Sequence, residues 1–103
     1  MQKLTITLFL MLAINSMMAQ YKDLYQKKEF IAGNDTLRYR MLYPLNYEAG
    51  KKYPLILFLH GSGERGNDNE APLVHGGELF ADSANRQRFP AIVIFPQCPP
   101  GFF

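Results

Sequence analysis

A chain of 103 residues makes one small domain at most. Its formal net charge is only +2, with the two signs interspersed and no basic run or aromatic-interleaved patch, which argues against nucleic acid as a partner. The single cysteine, Cys98, excludes an intrachain disulfide.

The first nineteen residues read as a secretory signal peptide and not as fold. Met1-Gln2-Lys3 carries positive charge, Leu4 to Ile14 is apolar apart from Thr5 and Thr7, and Asn15 to Gln20 is a short polar-to-small exit. Cleavage is expected after Ala19. The apolar run is well short of the ~20 residues that a membrane span needs, so no stable membrane anchor is expected. The expected location is therefore periplasmic or secreted, with residues 20–103 as the mature part.

Tyr25 to Ile31 and Thr36 to Tyr43 flank the turn residues Gly33-Asn34-Asp35 and predict a β-hairpin. Along the second arm Leu37, Tyr39, Met41 and Tyr43 alternate with Arg38 and Arg40, which predicts one wet face. Pro44 to Lys52 is a polar connection. Pro54 to Leu59 is an unbroken apolar run, expected as a strand buried on both faces of a mainly parallel sheet.

That run stops at His60 and enters Gly61-Ser62-Gly63-Glu64-Arg65-Gly66, with three glycines in six residues. Asn67 to Pro72 is too polar and proline-marked to be core. Leu73 to Ala81 predicts a short helix weakened by Gly76-Gly77, and Asp82 to Arg88 a further helical turn with Ser83 as its N-cap. Ala91 to Phe95 is a second apolar run, stopped by Pro96. Two such runs around helical sequence make a strand–helix–strand crossover. The fold class expected is α/β, the N-terminal part of a larger domain, with Ala91 to Phe95 left as an open apolar edge.

The glycine loop matches G-x-G-x-x-G, with acidic Asp82 downstream, which at face value is the fingerprint of a dinucleotide site. The sequence after the loop opposes it. Asn67 to Glu70 and Pro72 stand where the helix should open, and Asp82 does not end a strand. No cofactor is expected.

The competing reading is an oxyanion loop. In α/β-hydrolases one donor of the oxyanion hole comes from a loop after the third strand that often begins His-Gly, as His60-Gly61 does here. Glycine lets a backbone N–H approach a tetrahedral oxyanion without a Cβ in the way. His60, Gly61, Ser62 and Gly63 are the candidate loop residues, with His60 read as structural and the choice among the N–H groups left open. Ser62 sits in Gly-Ser-Gly and not in Gly-x-Ser-x-Gly, so it is not read as a nucleophile. Glu64, Arg65 and Asp68 are candidates for stabilising the loop. His75 has no partner at metal-ligand spacing, and no metal site is expected.

Leu59 to Asn69, followed by Phe95-Pro96-Gln97-Cys98-Pro99, resembles exported α/β-hydrolases described as predicted peptidases or phospholipase/carboxylesterase-like proteins, relatives of dienelactone hydrolases, feruloyl esterases and polyhydroxybutyrate depolymerases. The resemblance runs from about Tyr25 to Pro99. It implies a serine hydrolase acting on small-molecule or polymer esters through an acyl-enzyme. It also implies a nucleophile, acid and catalytic histidine that lie beyond Pro99 in such proteins. None of these catalytic groups is expected among these 103 residues, so this chain alone is expected to be inactive. A non-catalytic secreted binding or interaction module is the alternative, and the oligomeric state is left open.

Overall fold

The computed structural model describes residues 20–101, and the expected signal peptide lies outside them. A single four-stranded sheet organises them. Its strands are β1 (Gln26–Ala32), β2 (Asp35–Leu42), β3 (Leu55–Leu57) and β4 (Ile92–Gln97), in the spatial order β1-β2-β4-β3.

The hairpin forms where the turn residues place it. Ala32 pairs with Asp35 across the two-residue loop Gly33-Asn34. Gly33 takes φ +61° while Asn34 stays at negative φ, the pattern of a type II′ turn, whose first central position suits glycine.

β2 then pairs antiparallel with β4, and only β3 and β4 run parallel. The sheet among the described residues is therefore mixed and not mainly parallel. The parallel pair requires a crossover. It is made of a 3-10 turn (Ala71–Leu73) and two short helices, α1 (Gly77–Ala81) and α2 (Ser83–Arg88). Gly76, expected to weaken the helical stretch, splits it. α2 is capped by Asp82, whose carboxylate accepts from the N–H of Asn85 at 3.1 Å, and not by Ser83.

Both crossover helices lie on one face of the sheet, and the core forms there. Phe95, with no exposure, stacks on Phe58 at 4.7 Å and meets Tyr25 edge-on at 5.4 Å and Phe80 at 6.0 Å. Such pairs add about 0.5–1.5 kcal/mol each beyond their area burial. Leu42, Leu73, Ala81 and Val93 complete the cluster. The Tyr25 hydroxyl donates to the Gly77 carbonyl at 2.7 Å, and burial raises its pKa so that the donor proton is kept.

Three expectations are corrected by this packing. β3 buries one face only. Ile56 and Phe58 turn to the core, while Leu55, Leu57 and Leu59 are exposed because no described element covers the other face. The open edge belongs to β3 and not to Ala91–Phe95, since β4 is held between β2 and β3. On β2 the core side is the one carrying Arg40 and Leu42, and Leu37 opposite them is exposed.

Arg40 tolerates burial, at 3% exposure, because its guanidinium is fully engaged. Nε donates to Asn69 O at 2.6 Å, Nη1 to the carbonyls of Lys22 and Tyr25, and Nη2 pairs with Glu70 at 2.5 Å. The rigid fork of arginine suits such divided donation. The segment read as too polar for core, Asn67 to Pro72, is drawn inward by it. Asn69, at φ +54°, and Pro72 are both buried.

Candidate functional site

β3 ends at its C-terminal side with a last ladder bond, Phe58 N–H to Ile94 O at 2.9 Å. The chain then leaves the sheet through Leu59 and His60 into the glycine loop. Ser62–Glu64 forms one 3-10 turn, closed by Glu64 N–H to Gly61 O at 3.3 Å. The N–H groups of Ser62 and Gly63 open that turn, ahead of its closing bond, and find no acceptor within it.

The loop is held from both ends by one residue of the neighbouring strand's exit. Cys98 N–H donates to His60 Nε2 at 2.9 Å, and Cys98 O accepts from Gly66 N–H at 3.0 Å. Because Nε2 accepts, the ring proton sits on Nδ1, which lies 2.6 Å from Gly61 O and donates to it. His60 is thus a neutral brace between the loop and β4.

Gln97, with 1% exposure, fastens the middle of the loop and its exit. Its amide nitrogen donates to Glu64 O at 3.1 Å and to Asp68 Oδ1 at 2.8 Å, while its oxygen accepts from Asn69 N–H at 2.7 Å. Asp68 Oδ1 also accepts from the N–H groups of Glu70 and Ala71. Those bonds to the backbone, with that from Gln97, hold the Asp68 carboxyl below its ordinary pKa.

The remaining loop residues have separate partners. Glu64 pairs with His75 Nε2 at 3.0 Å, tying the loop to the segment before α1. Its other oxygen lies 3.1 Å from where a Cβ on Gly61 would stand. Arg65 Nε donates to Ser62 O at 2.9 Å. Arg65 and Asp68 therefore make contacts within or at the exit of the loop, while the Glu64 side chain reaches out of it to His75. Gln97 and Cys98 were missed as site residues, although a glutamine ending an apolar run was a visible signal.

An apolar recess of about 410 Å³ adjoins His60, lined by Leu37, Leu59, Pro96 and Cys98. Among the described residues, no group of three or more His, Cys, Asp and Glu is placed to hold a metal ion. No helix among them is long and apolar enough to cross a membrane.

No family model matches the chain. No curated protein matches it either. Among solved structures it is similar to the crystal structure of a thermostable esterase, with a TM-score of 0.69 and 33% sequence identity over 80% of this chain. The fold is esterase-like. The chain spans 23% of that esterase's length.

Proposed function

We propose that this chain supplies the oxyanion side of an esterase site, in a secreted or periplasmic serine hydrolase of the carboxylesterase or predicted-peptidase type. The observation that carries the reading is the braced loop: N–H groups of Ser62 and Gly63 left open at the end of β3, on an esterase-like fold. Donors held in place before the reaction stabilise the developing oxyanion of acyl transfer without reorganising, and each is worth about 3 kcal/mol. The substrate would be a small-molecule or polymer ester.

The three serines, Ser16, Ser62 and Ser83, include none in a Gly-x-Ser-x-Gly setting. On this reading none of them is the nucleophile, and the resemblance to serine hydrolases puts the base and the acid outside these residues as well. The 103-residue chain should give no burst and no turnover with p-nitrophenyl acetate. A chimaera in which residues 20–98 replace the matching part of the thermostable esterase should hydrolyse that ester. Within the chimaera, Ser62→Pro or Gly63→Pro, each deleting one N–H, should lower kcat by about 10²–10³. Turnover by the isolated chain, or full activity in both proline variants, would refute the assignment.

A further inference from the structure

At the opposite end of the sheet from the glycine loop, a second cavity of about 400 Å³ opens between β2–β4–β3 and the crossover helices. Its walls are Leu42, Ile56, Phe80, Phe89 and Val93, and the charged residue in its lining is Arg86 of α2. The size falls within the range of small-ligand pockets, about 300–1,000 Å³.

Arg86 is only partly satisfied. One terminal nitrogen donates to Tyr43 O at 2.6 Å, but the buried Nε has no acceptor. Among the described residues no carboxylate pairs with it, and the nearest acid in sequence, Asp82, is turned to the N–H of Asn85. The buried Nε is closed to a ligand, whereas the other terminal nitrogen, Nη1, is neither buried nor bonded to an acceptor among the described residues and is the donor left for one. A cation beside an otherwise apolar cavity selects an anion carrying an apolar body.

We infer that this cavity binds an aliphatic monocarboxylate, its chain against Leu42, Ile56, Phe80 and Val93 and its carboxylate on the guanidinium of Arg86. The inference is independent of the role assigned to the glycine loop, and no covalent step is involved. A carboxylate accepts a charge-assisted hydrogen bond from a terminal guanidinium nitrogen. The exposed rim residues Leu79 and Phe89 would cover the distal chain.

Octanoate titrated into the 15N-labelled 103-residue chain, with octanol as the neutral control, tests this. Octanoate should move the amides of Leu42, Phe80, Arg86 and Val93 and the Arg86 Nε–H resonance to saturation, and should raise Tm. Octanol should bind at least about tenfold more weakly. Arg86→Met, which keeps the apolar stem, should abolish that preference. Leu79→Glu, at an exposed rim position, should weaken octanoate more than octanol, because the new carboxylate repels only the anion. Equal affinity for octanoate and octanol, a preference that survives Arg86→Met, or saturating shifts confined to other surfaces would each overturn the inference. So would no shift at all.

Discussion

The backbone N–H of Cys98 donates to Nε2 of His60 at 2.9 Å, across 38 positions of sequence. This bond makes the exit of β4 the support for the loop that leaves β3. It also settles the tautomer, because an imidazole that accepts at Nε2 carries its proton on Nδ1.

His60→Ala should therefore strand the Cys98 N–H and release the start of the loop. The expected loss is about 1–3 kcal/mol, the cost of an unmade bond in a partly buried site. Urea unfolding of the two chains measures it. A variant as stable as the parent would mean that the brace contributes nothing.

Arg40 should be the most sensitive polar position. Removing the guanidinium leaves three carbonyls without their donor and takes one of three cations from Glu70, which keeps Lys22 and Lys27, so Arg40→Ala is expected to cost about 3 kcal/mol. Arg40→Lys should recover little, since one ammonium cannot reach acceptors spread around a planar fork. Shifts in urea midpoint at constant slope decide between these outcomes.

Asp68 couples stability to acid. The N–H groups of Glu70 and Ala71 and the Gln97 amide favour its ionised form, so its folded pKa lies below the unfolded one. The resulting stabilisation is complete above the unfolded value of about 3.9 and disappears as pH falls through the folded value. Asp68→Asn should accordingly flatten the loss of Tm below about pH 4, while lowering Tm at pH 7.

Two glycines should respond differently to alanine. A Cβ at Gly76 would meet the Phe58 ring at 2.8 Å, and that ring is locked against Phe95 at 4.7 Å. Gly76→Ala should cost about 1–3 kcal/mol by overpacking. At Gly61 the nearest atom is the end of the Glu64 side chain, at 3.1 Å, which can move aside. Thermal melts should separate the two variants clearly.

The free edge of β3 should govern association. Leu57, at 57% exposure, lies on the uncovered face of an edge strand without a charged residue. Leu57→Lys should reduce concentration-dependent light scattering, because an inserted charge opposes strand-to-strand pairing.

Much of the architecture could be read before any coordinates. Glycine and asparagine marked the hairpin turn, and two apolar runs around helical sequence marked β3 and β4, because local backbone preference and hydrophobic pattern act over a few residues. The orientation of β2 could not be read that way. Arginine alternating with apolar residues looked like a wet face, and only Asn69, Glu70 and Tyr25 arriving from elsewhere make Arg40 a core residue. The position of β4 was equally hidden, since strand order depends on which edges meet and not on the strand's own composition.

The glycine loop divides along the same line. The sequence by itself determined that the chain turns sharply after His60 and exposes backbone there, because three glycines in six residues permit little else. Only the tertiary structure decided what holds that turn in shape. His60, Gln97 and Cys98 meet because β3 and β4 lie side by side in parallel register, and hydrogen bonds between residues more than thirty positions apart have no local signature.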